Sequence, residues 1–167
     1  EFDLIIFDRY RHRGILPLIY FDNIARYVRE GGAVLIAAGP DYASPTSLWR
    51  TPLDVVLPAE PSGKMIETPF HARLSDIGKR HPVTRALEGA GAEPPHWSRW
   101  FRLVDAKVGQ GSSVMEGPDG KPAAVAVAPG HPRSGVDWQP ITPDSHYYGP
   151  RFFHERRRLF VQLSSVG

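Results

Sequence analysis

The sequence predicts an α/β domain with parallel strands, and its first forty residues carry that expectation. Phe2-Asp3-Leu4-Ile5-Ile6-Phe7-Asp8 is an apolar run of buried-strand length with an acidic end. Tyr20 to Glu30 switches to helical spacing, with Phe21, Ile24, Ala25 and Val28 on one face. Ala33 to Ala38 is a second buried run, closed by Gly39-Pro40. Strand, helix, strand with short connections is a βαβ unit, which places its strands parallel with a right-handed crossover. Ligands of open α/β sheets bind beyond the carboxyl ends of such strands. Those ends are Asp8-Arg9-Tyr10 and Ala37 to Asp41.

The elements follow in order. Gly31-Gly32 stops the helix, because glycine takes the left-handed conformation without steric cost. Pro45, Pro52, Pro58 and Pro61 exclude a long helix between Asp41 and Gly63, since each interior proline costs roughly 3 kcal/mol. Leu53 to Leu57 suits one helical turn or a short strand. Lys64 to Leu74 alternates weakly and reads as an exposed strand or extended segment, and Leu74 to Lys79 as a short helix. Glu88 to Pro95 is a loop. Trp97 to Val104 alternates and is expected to be a strand with both faces partly covered. Ser112 to Glu116 and Pro122 to Ala128 flank Gly117-Pro118-Asp119-Gly120, a hairpin signal. His154 to Leu163 is expected to form a short helix with Phe153, Leu159, Phe160 and Leu163 inward.

Composition bounds the function. At 167 residues the chain suits one domain with a sizeable core. It is 41% hydrophobic and 23% charged, a globular balance. A net charge of +2 is too small to argue for a nucleic-acid partner. The absence of cysteine removes disulfides, thiolate metal sites and a cysteine nucleophile together. No apolar run approaches the ~20 residues of a membrane span. The chain begins almost directly on a strand, so it is expected to be a fragment of a longer protein.

The opening run, the helix ending Tyr-Val-Arg-Glu-Gly-Gly, and Ala-Val-Leu-Ile-Ala-Ala-Gly-Pro together resemble class I glutamine amidotransferase-like domains. The resemblance is to degenerate members found inside uncharacterised bacterial membrane proteins. His81-Pro82-Val83-Thr84-Arg85-Ala86-Leu87 is similar to a segment of the wider group, trehalose-utilisation-like proteins included. The resemblance spans about 1–128 and fades over 129–167, a divergent segment expected to pack on or extend the same domain. It implies a flavodoxin-like three-layer sandwich with a mainly parallel central sheet. In active members a cysteine sits on a Gly-x-Cys-x-Gly turn; alignment by Gly39 puts Ala37 there, which has no nucleophilic atom. The family's late His-x-Glu pair has no counterpart, because His154 and Glu155 are adjacent.

Candidate chemistry concentrates at the strand ends. Asp8, Arg9, Tyr10, Arg11, His12 and Arg13 could form an anion-binding rim, since arginine grips carboxylate or phosphate bidentately. The simpler account is a solvated basic loop, because no glycine-rich cradle accompanies it. Asp41, after Gly39-Pro40, could be a base, but capping the following turn requires less of it. Seven histidines form no His-x-x-x-His or His-Glu-x-x-His pattern, so no metal site is expected. His81 precedes a proline and suits holding an extended loop. No Gly-x-Ser-x-Gly elbow exists for a serine hydrolase. Trp97, Trp100 and Phe101 fall on both faces of their segment, which fits packing better than base stacking. Arg156 to Arg158 reads as a solvated face.

The expected function is therefore non-enzymatic: a degenerate binding or assembly module without cofactor, whose partners are other protein domains or subunits. Anchoring of the parent protein to a bacterial membrane, through segments outside this chain, is implied only by the resemblance. The rivals are a hydrolase using Asp8, Asp41 or His81, and a small-anion or sugar site along Asp8 to Arg13 and Gly39 to Tyr42. An enzyme needs at least two of Asp8, Tyr10, Asp41 and His81 within hydrogen-bond reach.

Overall fold

The computed structural model describes residues 2–127 and the backbone of 159–162 and 164–165. In chain order the elements are β1 (Leu4–Asp8), α1 (Leu18–Arg29), β2 (Ala33–Ala37), β3 (Ala59–Ile66), β4 (Arg73–Leu74), β5 (Arg102–Val108), β6 (Ser112–Glu116), β7 (Pro122–Val127), β8 (Leu159–Gln162) and β9 (Ser164–Ser165). Short 3₁₀ turns at Pro40–Ala43, Leu48–Arg50 and Pro52–Val55 fill the proline-rich stretch after β2.

The βαβ unit forms as its pattern predicts. β1 and β2 pair in parallel from Leu4↔Ala33 to Asp8↔Ala37. Between them α1 buries Phe21, Ala25 and Val28, which recur along one helical face. Gly31, at φ 97°, ends the helix in the left-handed region. Phe21 is fully buried and meets Phe7, Tyr10 and His12 at ring-centroid distances of 6.4, 6.0 and 5.4 Å.

The expected flavodoxin-like sandwich with a mainly parallel sheet is overturned. One sheet has six strands in the order β1-β2-β8-β7-β6-β4, and a second has three in the order β3-β5-β9. Among the described strands only β1·β2 and β2·β8 are parallel; the other pairings are antiparallel. Among the described residues α1 is the single α-helix. Parallel neighbours need a crossover of a dozen or more residues, usually helical. After β2 prolines break the chain into 3₁₀ turns, and no further α-helix lies among the described residues to serve as a crossover. The protein is therefore sheet-rich, and the label flavodoxin-like does not apply to it.

Three local expectations also shift. β3 begins at Ala59 and runs through Pro61, which a strand tolerates because β3 lies at a sheet edge and is bulged between Pro61 and Lys64. The aromatic segment is a single bridge, Phe70 to Trp100, and the strand proper starts at Arg102. Leu159–Gln162 is a strand, not the expected helix; the rest of that helix, and Arg156 to Arg158, lie outside the described residues. The β6–β7 hairpin forms as expected, with Asp119 and Gly120 at φ 53° and 70°, the left-handed pair that an Asp-Gly turn supplies.

The core runs under both sheets, from Phe21 and Ile36 to Leu103, Val104, Val114 and Val125. Gly78 packs so closely on the Val114 carbonyl that a Cβ would collide with backbone. Ser75 secures the same junction: its hydroxyl donates to the Ser113 carbonyl at 2.7 Å and accepts from the Gly78 N–H at 2.9 Å. Asp105 on β5 accepts from Lys121 and Ser62, and both bonds hold its carboxyl below the usual range. No helix among the described residues is long and apolar enough to cross a membrane.

Phe21→Ala removes the ring on which α1 and the β1 exit both rest. It is expected to cost about 3–5 kcal/mol, read as a lower urea midpoint with an unchanged slope.

Candidate functional site

The carboxyl ends of β1 and β2 lie side by side, with Asp8 opposite Ala37. The chain leaves β1 through Arg9, which adopts a left-handed φ of 43°. Its N–H donates to the Ala37 carbonyl at 2.8 Å, adding one rung to the ladder. The Arg9 stem then crosses Gly39, where a Cβ would stand 3.0 Å from the Arg9 Cγ. Glycine at 39 therefore gives the arginine room to cross.

Two of the three rim arginines are paired within the rim. The Asp8 carboxylate lies 3.4 Å from the Arg9 guanidinium, and Asp41 lies 3.4 Å from Arg11. The Arg11–Asp41 pair ties the β1 exit loop to the Pro40–Ala43 turn. The same two segments meet again where the His12 N–H donates to the Thr46 carbonyl at 2.9 Å. Asp41 does not cap its turn through the side chain; Gly39 holds that position. Ser44 secures the turn by donating to the Asp41 carbonyl at 2.8 Å. Tyr10 is half-buried, its ring edge-on to Phe7 at 5.4 Å. The His12 Nδ1 is enclosed without a hydrogen-bond partner.

These residues do not assemble a reactive set. No hydrogen bond joins Asp8, Tyr10 and Asp41 to one another. His81 follows β4, at the opposite end of the six-stranded sheet from β1. Five strand spacings of ~4.8 Å separate those edges. The His81 Nδ1 accepts from the Val83 N–H at 3.3 Å, within its own loop. Ala37 is half-buried on an extended strand, and among the described non-glycine residues only Arg9 and Asp119 have positive φ. A strained nucleophile elbow is thus absent at residue 37. Among the described residues no group of three His, Asp or Glu side chains could hold a metal ion.

Two features lay outside the sequence expectations. An open depression of about 410 Å³ is lined by Leu18, Trp49, Arg50, Thr51, Pro52 and Asp54, none of them a sequence-derived candidate. The other is apolar surface. Leu4 and Ile6 are 47% and 57% exposed, on the sheet face opposite α1. Phe2, Ile15, Leu18, Ile19 and Tyr20 are also exposed. No described strand pairs with the outer side of β1. The signal was present in Leu4-Ile5-Ile6-Phe7, because a strand apolar at every position expects cover on both faces.

Behind the rim, Tyr42 is buried and its hydroxyl donates to the Ala59 carbonyl at 2.7 Å, joining the β2 exit to β3. Burial pushes its pKa well above the ordinary phenol value.

No family model matches the chain, and no curated protein matches it. Among solved structures it is similar to Cytoplasmic Protein STM3548 from Salmonella typhimurium, with a TM-score of 0.62 and 14% identity. The match covers 99% of this chain and 61% of that one, so the chain spans less than two thirds of its neighbour's length. At that identity the likeness concerns the fold alone. The amidotransferase-like and membrane-protein descriptions find no support in these comparisons, and a sheet-rich mixed α/β fold replaces them.

Because a phenol raised in the folded state favours folding only while protonated, the Tyr42 contribution should fade as pH climbs above about 10, the unfolded value. Tyr42→Phe leaves the Ala59 carbonyl unpaired and should cost about 1–2 kcal/mol at neutral pH. The variant should then lose less further stability than the parent between neutral and alkaline urea titrations.

Proposed function

We propose that this chain is a non-catalytic assembly module that buries the exposed face and edge of β1 against another polypeptide. The observation that carries the reading is the mismatch within β1 itself. Phe7 packs on Phe21 of α1 and is buried and Ile5 is half-buried against the core, whereas Leu4 and Ile6 on the other side are about half exposed. Complete burial of such side chains contributes about 1.5–3 kcal/mol each relative to full exposure, so a partner gains roughly half of that per residue here. Contiguous apolar surface of this kind marks interaction sites.

The rim chemistry supports the same reading. General acid–base catalysis needs a group within reach of substrate and poised to exchange a proton. Asp8 lies against Arg9, its neighbour in the chain, and Asp41 against Arg11 of the β1 exit loop. Arg9 and Arg11 are held by the same pairings, which disfavours an anion or sugar rim.

Amide, ester, phosphate-ester and glycoside substrates should show no turnover above buffer with the purified chain, and Asp8→Asn or Asp41→Asn should change nothing. A rate that falls about 100-fold or more in either variant, the size of a lost general acid or base, would overturn the reading in favour of a hydrolase.

A further inference from the structure

We propose that Asp119-Gly120 is a self-modifying site, where aspartate rearranges to isoaspartate through the open form of the β6–β7 turn. The chemistry needs an unhindered main-chain nitrogen just after an aspartate. The chain has a single Asp-Gly pair and no Asn-Gly. Gly120 carries no side chain to shield its nitrogen, and a Cβ placed there would meet nothing within 4 Å. Asp119 is exposed. Among the described residues no ion pair or hydrogen bond engages its carboxyl; the adjacent Lys121 is turned to Asp105 at 2.8 Å.

The reaction balances within the turn and water. The Gly120 main-chain nitrogen attacks Cγ of the protonated Asp119 carboxyl. The nitrogen gives up its proton, the carboxyl gives up its hydroxyl, and water leaves a five-membered succinimide. Water then adds to one of the two ring carbonyls. Opening at Cγ restores aspartate. Opening at the Asp119 main-chain carbonyl breaks its bond to the Gly120 nitrogen and leaves the chain running through Cβ and Cγ. That product has the same mass, one more backbone carbon and a free α-carboxylate.

The closed turn withholds the nucleophile. Ring closure needs the Gly120 nitrogen eclipsed with the Asp119 Cβ, so that it faces the carboxyl. At φ 53° and ψ 29° the nitrogen lies across the Cα–C bond from Cβ. Two main-chain bonds keep it there: the Lys121 N–H donates to the Pro118 carbonyl at 3.0 Å, and the Gly117 N–H to the Lys121 carbonyl at 2.8 Å. The turn must therefore open before it reacts. An inserted backbone carbon then spoils the spacing of both bonds, and the modified hairpin pairs less well.

The test ages the whole chain at neutral pH and body temperature, once folded and once in guanidinium chloride above its unfolding midpoint. Isoaspartate is read in the tryptic peptide 108–133 as an isomer of equal mass that Asp-N leaves uncut before residue 119 and that isoaspartyl methyltransferase labels. In the unfolded chain, residue 119 is expected to exceed every other aspartate. The folded chain should form the isomer at least about 10-fold more slowly, the ratio for a turn open a tenth of the time or less. Asp119→Asn suits the same turn, closes the same ring with loss of ammonia, and should keep that ratio. Asp119→Glu, which would need a six-membered ring, should give no isomer. Folded chain enriched in isoaspartate should show a lower urea midpoint. Isoaspartate absent from residue 119 in the unfolded chain, or greater at another aspartate, overturns the site. Equal rates in the folded and unfolded chain, or in folded and unfolded Asp119→Asn, overturn the gating by the turn. An unchanged urea midpoint overturns the loss of pairing.

Discussion

The seating of Phe21 is the contact on which the first half of the molecule depends. The ring is fully buried and touches Phe7 on β1, Tyr10 just beyond it, and His12 in the loop that follows. One side chain thus holds the helix to the sheet and fixes the path by which the chain leaves β1. That path places Arg9 over Gly39 and brings Arg11 to Asp41. The arrangement at the strand ends is a consequence of apolar packing beneath it, with charge added as a surface latch.

A second constraint shapes the rest. A parallel sheet can be extended only by long crossovers, and α1 is the crossover this chain supplies among its described residues. From Pro40 to Leu87 the connections between strands are largely tight turns, several of them secured by short-range polar groups. Thr51 donates to the Leu48 carbonyl, and Thr84 to the Gly78 carbonyl. The later strands therefore meet in antiparallel pairs and build a second small sheet. β8 returns between β2 and β7, where it is parallel to one and antiparallel to the other.

Legibility of this architecture in the sequence tracked how local each signal was. The β1–α1–β2 unit and the Asp119-Gly120 hairpin were readable, because spacing and turn residues specify them within a few positions. The sheet was not, because one βαβ unit was extended by analogy to strands that, among the described residues, have no further α-helix between them. β3 was misplaced because Pro61 argues against a strand unless its edge position and bulge are known. At the rim, Asp8, Arg9 and Asp41 were legible as neighbours of the strand ends. Their mutual neutralisation was not, since ion pairing depends on where Arg11 is carried by the loop. The distance of His81 from that rim follows from strand order, which no local pattern encodes. Leu4 and Ile6 were read as buried because their residue types expect cover, and both are about half exposed.

The strand edges differ in what they permit. β3 presents Pro61, a bulge and Lys64; β4 and β9 are two residues long. Such edges resist further pairing. Among the described edge strands, β1 is the one that is both unbulged in register and apolar over several residues. The proline, the bulge and the two-residue strands thus act as terminators, and edge-to-edge growth along the described β3, β4 and β9 edges is blocked.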